Sequence, residues 1–507
     1  MNRIPFQEVE VKNGFWYQKQ KMVKNVTLQA VYDRFVETHR FEALRCEWKE
    51  GDPNMPHIFW DSDVAKWIEA AAYQLLKERN EELEKIIDEY VDLIIKNSDE
   101  HGYFNSHFLV NHNNKRFTIR SSHELYCAGH LMEAAAAYEQ ATGKSAFLDA
   151  MCRYADYIDK VFRIEKSAEF VTPGHPEIEL ALVKLYHATK NERYLTLSKF
   201  FIDNHGTNKA DLNAFDGCFN NYNQDEIPLR ERNTADGHSV RALYLLCGAA
   251  DIGEIFKDNE LVEMCRRLFD NIAKKRMYIT GGVGSTSIGE TFTIDYDLPN
   301  RTAYAETCAA ISLAMFAGRM QAIEPDGKYA DVFERAIYNG VLSGVSMDGK
   351  SFFYENPLEI DLNFNQVNPA TKEKQRFAIT QRQEVFECSC CPPNIARFIP
   401  SVADYLYSYN EDTLFIHQYM ESSTTHDGMT IHQITDYPSS GAVTIKCEAG
   451  SKTVALRIPG WCKSYRIDQP YELKNGYVYI DAKNASEINV IFDMPVTVMR
   501  ALMWFLY

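Results

Sequence analysis

Residues 61–76, DSDVAKWIEAAAYQLL, carry the pattern that decides the fold. Their apolar side chains recur at positions i, i+3, i+4, i+7 and i+11, which is the period of one face of an α-helix. The stripe consists of Val64, Trp67, Ile68, Ala71 and Leu75. The following segment repeats the pattern with Leu83, Ile86, Ile87, Tyr90 and Ile94. The sequence therefore predicts two consecutive amphipathic helices.

The same helical period extends over most of the chain. Further helices are predicted near residues 18–38, 123–140, 145–162, 176–190, 193–203, 237–250, 258–274, 303–319, 328–340 and 395–407. About a dozen helices in consecutive pairs cannot bury their apolar stripes in one bundle layer, so they must cover one another. No repeat of fixed length is visible, which favours a closed ring over an open array. We therefore predict an α/α barrel, with its functional site among the loops at one mouth.

Beyond about residue 411 the hydrophobic period changes to two, as is typical of β-strands. The alternating apolar positions are Val443, Ile445, Cys447, Val454, Leu456, Ile458, Ile488, Val490 and Phe492. Turn signals such as Asn475-Gly476 separate the runs. We predict an α/α barrel in residues 1–410, followed by a β-sandwich in residues 411–507. The extended segment 1–17 is a candidate to pack on the β-domain, and the apolar ending at 499–507 predicts that the sandwich is incomplete.

The charge balance and the lack of long apolar runs each exclude one class of protein. The chain has 54 Lys and Arg residues against 71 Asp and Glu residues, so its net charge is −17. A nucleic-acid-binding protein needs a basic surface, so the negative charge excludes that class. No apolar run approaches the roughly 20 residues that span a bilayer, which excludes an integral membrane protein. The first residues lack the apolar core of a signal peptide, so a cytoplasmic location is expected. The oligomeric state stays open, with a homodimer as one alternative.

Four of the twelve cysteines stand out by their position. The others are scattered, as is typical of small buried side chains, and all are expected to be thiols in a reducing compartment. Cys308 stands two residues after Glu306, and Cys388, Cys390 and Cys391 crowd into four positions. Thiolates and a carboxylate together form a plausible tetrahedral zinc set, although neither spacing matches a standard zinc finger. Spacing alone leaves both zinc binding and buried thiols open.

The spacing also limits the local structure of these residues. Glu306 and Cys308 would diverge inside a helix, because two positions turn the helix by about 200°, but they can converge at its first turn. The prolines at 392 and 393 place the cysteines on a loop that opens a helix. We expect Pro392 to keep Cys391 out of the helical region.

Glu290 and three histidines are further candidate site residues. Glu290 follows a glycine-rich loop, where a solvated loop carboxylate is the simplest interpretation. His123, His175 and His238 stand in similar surroundings at three predicted helix starts. One such histidine is usually a cap or a core residue, but three at consecutive hairpins indicate a ring of donors for a polyhydroxylated ligand. Two aromatic residues could add apolar faces, namely Phe59 and Tyr354.

Seven short motifs follow one another along the chain. They are DSDV (61–64), HELY (123–126), GHPEIEL (174–180), GHSVR (237–241), GE with YDLPN and YAETCA (289–309), FFYENP (352–357) and CSCCPPNIAR (388–397). Together and in this order they resemble glycoside hydrolase family 127, the β-L-arabinofuranosidase family. The resemblance covers most of the chain and implies a mainly α fold, an α/α six-hairpin barrel followed by β-sandwich domains.

The resemblance also implies roles for individual residues. It implies a zinc ion (Zn²⁺) held by Glu306, Cys308, Cys390 and Cys391, with Cys390 as the nucleophile and Glu290 as the general acid/base. It implies sugar contacts from His123, His175, His238, Tyr354 and Phe59. The expected activity is retaining hydrolysis that releases terminal L-arabinofuranose from β-linked arabino-oligosaccharides, so the expected partner is an oligosaccharide substrate.

Two alternative functions remain. A sugar epimerase or lyase on the same barrel would use the histidines as acid and base and would not need Cys390. A non-catalytic carbohydrate-binding protein would use the zinc only to stabilise its fold. The exact sugar, its linkage and the role of Cys388 are not predicted.

Overall fold

The structure is a computed structural model, and it describes residues 1–111, 115–208, 211, 221–362, 379–448, 452–482 and 486–500. The predicted apolar ending at 499–507 therefore lies, from residue 501 onward, outside the described residues. The α-helices are α1 (Gly14–Met22), α2 (Leu28–Glu37), α3 (Arg40–Ala43), α4 (Trp60–Lys77), α5 (Glu81–Asn97), α6 (Ser106–Val110), α7 (Glu124–Thr142), α8 (Ala146–Asp159), α9 (Ile178–Thr189), α10 (Glu192–Asn204), α11 (Ser239–Ile255), α12 (Asn259–Asn271), α13 (Thr307–Ile323), α14 (Gly327–Arg335) and α15 (Cys391–Ser401). Every stretch predicted to be helical overlaps at least one of them.

The chain divides into two compact units. The helical unit contains Val26–Ser312 and Asn339–Arg397. The sandwich unit contains Met1–Asn25, Leu313–Tyr338 and Phe398–Tyr507. The division into domains at residue 410 stays a prediction.

The helical unit is built from hairpins of an inner and an outer helix. The inner helices α4, α7, α9 and α11 pack successively against one another, and α5, α8, α10 and α12 pack outside the helix that precedes each of them. Helix α7 is buried on every face from Glu124 to Tyr138, whereas the outer helices bury only one face. A Cβ at Gly129 would lie 3.0 Å from the backbone nitrogen of Ile178, so glycine permits this close approach of the chain.

Two further inner helices close the ring. Helix α13 contributes residues 307–312 to the helical unit, and Cys247 Sγ of α11 lies 3.9 Å from the carbonyl oxygen of Ser312. Helix α15 contributes residues 391–397, and Arg397 contacts Glu69 of α4 at 2.7 Å. Among the described residues, the inner ring therefore has six helices, and residues that directly precede five of them line one cavity.

The sandwich unit contains two six-stranded sheets among the described residues. The strands are β1 (Asn2–Arg3), β2 (Val9–Val11), β3 (Tyr407–Tyr409), β4 (Thr413–Ile416), β5 (Ser422–His426), β6 (Met429–Thr435), β7 (Ala442–Glu448), β8 (Thr453–Arg457), β9 (Tyr465–Ile467), β10 (Glu472–Lys474), β11 (Tyr477–Asp481) and β12 (Glu487–Phe492). Their orders are β1-β3-β4-β8-β11-β10 and β2-β5-β6-β7-β12-β9. Strands β4 and β8 are parallel, and the other paired neighbours are antiparallel. The predicted fold class, an α/α six-hairpin barrel followed by a β-sandwich, is confirmed.

Local sequence explains the strands of the sandwich. In β7 the apolar residues Val443, Ile445 and Cys447 are buried, and the residues between them are partly or fully exposed. Asn475 and Gly476 join β10 to β11 with φ values of 49° and 78°. Such left-handed backbone at both positions suits the right-handed twist of a hairpin, and asparagine and glycine adopt it most readily.

None of the described helices combines the length and the apolar character that crossing a bilayer requires.

Candidate active site

Glu306 and Cys308 converge at the start of α13. The helix begins at Thr307, and Ala310 N–H donates to the carbonyl oxygen of Glu306, so Glu306 occupies the position just before the first turn. Ala305 has a φ of 42°, which turns the chain sharply into the helix. The predicted convergence at a helix start is therefore confirmed.

The cysteine loop ends where α15 begins. Asn394 N–H donates to the carbonyl oxygen of Cys390, which makes Cys390 the residue before the helix and Cys391 its first residue. The expectation that Pro392 excludes Cys391 from the helix is wrong by one position. Proline is tolerated in the first helical turn because its missing N–H would have no partner inside the helix.

Three sulfur atoms and one carboxylate oxygen form a tight cluster. Cys308 Sγ lies 3.3 Å from Cys391 Sγ and 3.5 Å from Cys390 Sγ, and Cys390 Sγ lies 3.8 Å from Cys391 Sγ. Glu306 Oε1 lies 3.6 Å from Cys390 Sγ and 3.9 Å from Cys391 Sγ. A disulfide needs a sulfur separation of about 2.05 Å, so these cysteines are free thiols.

The cluster fits a tetrahedral metal site. With metal–sulfur bonds near 2.3 Å, ligand atoms at the corners of a tetrahedron stand about 3.8 Å apart. The five distances given above run from 3.3 to 3.9 Å, and all four atoms lie within 4.8 Å of one another. Burial, followed by the charges of Cys390 and Glu290, raises the pKa of Glu306 well above its ordinary value. Crowded acidic groups repel one another when ionised, and a divalent cation bound among them removes that repulsion.

A cavity of about 150 Å³ opens beside this cluster. A cavity of this volume accommodates about one small ring. The predicted site residues that line it are Phe59, His123, His175, His238, Glu290, Glu306, Cys308, Tyr354 and Cys390. Cys391, predicted only as a metal ligand, is fully buried. The chain therefore brings all of the predicted site residues to one place.

Phe59 and the three histidines form an arc along the cavity. Ring centroids are 5.7 Å apart between Phe59 and His123, 5.8 Å between His123 and His175, and 5.7 Å between His175 and His238. Burial, followed by the charge of Arg241, lowers the pKa of His123 to about 3 and lowers the pKa of His175 well below its ordinary value. Both rings are therefore neutral near pH 7. His175 Nδ1 lies 3.0 Å from the carbonyl oxygen of Pro176, so it donates there and leaves Nε2 as an acceptor.

His238 ends the arc and holds Glu290. His238 directly precedes α11, and its Nδ1 accepts hydrogen bonds from the N–H groups of Val240 at 3.2 Å and Arg241 at 3.5 Å. A neutral ring that accepts at Nδ1 carries its proton on Nε2. His238 Nε2 lies 2.9 Å from Glu290 Oε2, so it donates to that carboxylate. Glu290 follows Gly289 in a left-handed turn, with φ values of 66° and 60°, and such a conformation at a non-glycine residue is typical of functional sites.

Tyr354 and Cys388 complete the wall around Cys390. The Tyr354 hydroxyl lies 3.2 Å from Cys390 Sγ and 3.6 Å from Cys388 Sγ. Cys390 is partly exposed to the cavity. Cys388, for which no role is predicted, therefore lines the same cavity beside the tyrosine.

A buried ion cluster anchors α15 behind the sulfur atoms. Arg397 Nη1 lies 2.7 Å from Glu69 Oε2 and 2.6 Å from Glu133 Oε2. Its Nε donates to Asn394 Oδ1 at 2.8 Å, and its Nη2 donates to the Tyr244 hydroxyl at 3.1 Å. Arg397 thus ties the first turns of α15 to three other inner helices. Removing one partner of such a buried ion pair typically costs about 3–5 kcal/mol of stability.

Besides Cys388, seven residues of the cavity wall were not predicted as site residues. They are Ser62, Asp63, Tyr126, Tyr222, Val240, Arg241 and Tyr244. Asp63, Tyr126 and Arg241 stand within three of the quoted motifs, so their position beside predicted residues was an available signal. Tyr222 and Tyr244 carried no such signal, because aromatic residues are common in this chain, with 29 Tyr and 29 Phe.

Comparisons with known families match both parts of the chain. The profile of the catalytic domain of the GH127 β-L-arabinofuranosidases matches residues 8–404, and the profile of the GH127 middle domain matches residues 413–496. A non-reducing end β-L-arabinofuranosidase of Bifidobacterium longum subsp. longum is 39% identical over 479 residues, covering 88% of this chain and 72% of that protein.

Solved structures agree with the sequence matches. A GH127 β-L-arabinofuranosidase from Geobacillus stearothermophilus T6 superposes with a TM-score of 0.90 at 41% identity, covering 98% of this chain and 83% of that one. A second GH127 β-arabinofuranosidase superposes with a TM-score of 0.87 at 32% identity, covering 97% of this chain and 81% of the other.

Proposed function

Because the chain belongs to glycoside hydrolase family 127, the β-L-arabinofuranosidases, and is therefore a glycosidase, we propose that it releases terminal L-arabinofuranose from β-linked arabino-oligosaccharides with retention of configuration. One observation carries the proposal. Cys390 is the partly exposed cysteine of the cluster of three sulfur atoms and one carboxylate, and it lines the same ring-sized cavity as Glu290. A nucleophile and a proton donor in one small cavity are the two groups that a retaining glycosidase requires.

We propose that Glu306, Cys308, Cys390 and Cys391 hold a zinc ion. Their three sulfur donors and one oxygen donor are a chemically suitable set, and their spacing supports tetrahedral ligation. A free thiol has a pKa near 8.5 and is mostly protonated at pH 7, and ligation to zinc removes that proton. The group on Cys390 that faces the sugar is then a thiolate.

In the first half of the reaction, Cys390 Sγ attacks C1 of the arabinofuranose. The C1–S bond forms while the bond from C1 to the leaving oxygen breaks. Glu290 in its protonated form transfers its proton to that oxygen, so the leaving group departs as a neutral alcohol. The sugar is then attached to Cys390 as a thioglycoside, and Glu290 is a carboxylate.

In the second half, Glu290 acts as the base. It takes a proton from a water molecule, whose oxygen attacks C1 while the C1–S bond breaks. The product has the configuration of the substrate because C1 is inverted twice. His238 supports both steps, since its Nε2–H group fixes the carboxylate of Glu290 at 2.9 Å.

The remaining wall residues orient the sugar. The neutral ring of His175 offers Nε2 as an acceptor for a hydroxyl group, and the neutral ring of His123 can also form a hydrogen bond with the sugar. Their low pKa values keep both rings neutral over the physiological pH range. Phe59 provides an apolar face against the ring.

A panel of 4-nitrophenyl glycosides tests the proposed activity. We expect the protein to release nitrophenol from the β-L-arabinofuranoside and to leave the α-L-arabinofuranoside and β-D-pyranosides largely intact, because the anomeric carbon must face Cys390. The configuration of the first product, measured by NMR, should be β. Turnover of no furanoside by folded, zinc-loaded protein would contradict the proposal, and epimerised or unsaturated products would favour the epimerase or lyase alternative.

Removal of the metal should abolish most of this turnover. At pH 7 an unligated thiol with a pKa near 8.5 is only a few per cent ionised, so we expect a loss of about 30-fold or more after treatment with a chelator. Metal analysis should find one zinc ion per chain before treatment, and added zinc should restore the rate. Full activity in protein from which the metal analysis finds no zinc would contradict the assignment.

A further inference from the structure

Asp63 is a buried carboxylate in the wall of the cavity. It lies in the first turn of α4, is 1% exposed, and lines the cavity beside Phe59. One of its oxygens, Oδ2, accepts a hydrogen bond from Arg40 Nε at 3.0 Å. This ion pair offsets part of the cost of burying the carboxylate.

The second oxygen of Asp63, Oδ1, differs from Oδ2. Asp63 Oδ1 is buried and has no hydrogen bond among the residues that the structure describes. Leaving a buried acceptor unsatisfied costs free energy, and the cost is higher for a charged group. Since Asp63 lines the cavity, a ligand bound there can supply the missing donor.

Arg40 fixes the direction in which this oxygen faces. Besides Asp63, it donates to the carbonyl oxygens of Phe386 at 3.0 Å and Glu387 at 2.9 Å, and to Thr38 Oγ1 at 2.7 Å. The guanidinium is 2% exposed and held from several sides. Asp63 is therefore oriented before any ligand arrives, which reduces the entropy cost of binding.

We propose that Asp63 Oδ1 accepts a hydrogen bond from one hydroxyl group of the sugar in the cavity, which makes Asp63 a specificity-determining residue. A carboxylate only accepts hydrogen bonds, so it selects a sugar that presents a hydroxyl donor at this point. A sugar without that hydroxyl leaves the buried oxygen unsatisfied and binds less well in the transition state. The inference rests on the proposed function, because it takes the ligand to be the arabinofuranosyl group.

A substrate series separates this role from a purely structural one. The Asp63→Asn variant and the natural protein are assayed on 4-nitrophenyl β-L-arabinofuranoside and on its 2-deoxy, 3-deoxy and 5-deoxy analogues. On the parent substrate we expect the variant to lose about 10- to 100-fold in kcat/KM, the range for a hydrogen bond to a charged group. One analogue lacks the hydroxyl that Asp63 binds. On this analogue the kcat/KM of the variant should be less than about threefold below that of the natural protein, because neither protein can then form the hydrogen bond.

Asp61→Asn is the matched control. Asp61 lies on the same turn, is 2% exposed, and accepts from Ser106 N–H at 2.8 Å, but it is absent from the described cavity wall. Its variant should show the same ratio to the natural protein on all four substrates. Should Asp63→Asn fail to fold, Asp63→Glu keeps the charge for Arg40 while displacing the oxygen, and the same dependence on one hydroxyl is expected.

The outcomes distinguish the two proposals. An equal loss by the Asp63 variants on all four substrates would mean a structural ion pair and would overturn this inference while leaving the glycosidase function intact. Failure of the natural protein to hydrolyse the parent substrate would overturn the proposed function, and the inference with it. A loss confined to substrates with one particular hydroxyl would support both.

Discussion

Replacing Cys390 by serine should lower kcat by about 10⁴-fold or more, since removal of a covalent nucleophile is among the largest losses that one substitution causes. Serine retains the shape of the side chain, but its hydroxyl does not ionise near neutral pH and is a poor zinc ligand. We therefore expect the variant also to bind zinc more weakly. The measurements are kcat on the nitrophenyl arabinofuranoside and the zinc content of the purified variant.

The control for this substitution is Cys152→Ser. Cys152 is a partly exposed free thiol on the outer helix α8, so its variant tests the loss of a thiol as such. It should keep the kcat and zinc content of the natural protein. If the kcat of Cys390→Ser is within tenfold of that of the natural protein, the sulfur atom is not the nucleophile. That result would favour an epimerase or lyase mechanism based on the histidines.

Replacing Glu290 by glutamine should slow the second half of the reaction much more than the first. Nitrophenolate leaves without help from an acid, so Cys390 is still glycosylated, whereas water still needs a base to attack C1. We expect an initial burst of nitrophenol followed by a steady rate about 10³-fold below that of the natural protein. Intact-mass spectrometry should then find a fraction of the protein heavier by about 132 Da, the mass of one pentosyl group on the enzyme.

Oligosaccharide substrates sharpen the same experiment. Their leaving groups need the proton of Glu290, so the glutamine variant should bind them without a burst and without the mass increase. The exposed residue Glu169 offers a matched control, since Glu169→Gln makes the same chemical change away from the cavity. A glutamine variant at position 290 that hydrolyses oligosaccharides at the natural rate would contradict the assignment of the acid/base.

The structure also defines what surrounds these two residues. The proton on His238 Nε2 follows from the role of Nδ1 as the cap of α11, so the histidine donates to Glu290 in both halves of the reaction. Arg397 fixes α15 from behind, and Arg40 fixes the backbone just before the cysteine loop. Both sides of the loop that carries Cys390 are thus held by buried arginines, which is the rigid support that a nucleophile requires.

Much of the helical part was predictable because its signals are local. The stripe of Val64, Trp67 and Ile68 falls on one face of α4 whatever the rest of the chain does. The prolines after Cys391 marked a helix start, with an error of one residue at the boundary. The short strands were harder to predict. Strand β1 pairs Asn2 with Tyr409, and such an edge strand has too few residues to show a period of its own.

The sequence by itself determined most of the helices, the change from a helical to a strand period, and the residue types available for chemistry, because these depend on neighbours within a few positions. The tertiary structure alone decided which side chains meet. Cys308 and Cys390 are 82 positions apart, and they come within 3.5 Å because the ring of inner helices closes. Among the described residues, one oxygen of Asp63 likewise has no hydrogen-bond partner, and the cavity that Asp63 lines is assembled from distant segments that no local pattern encodes.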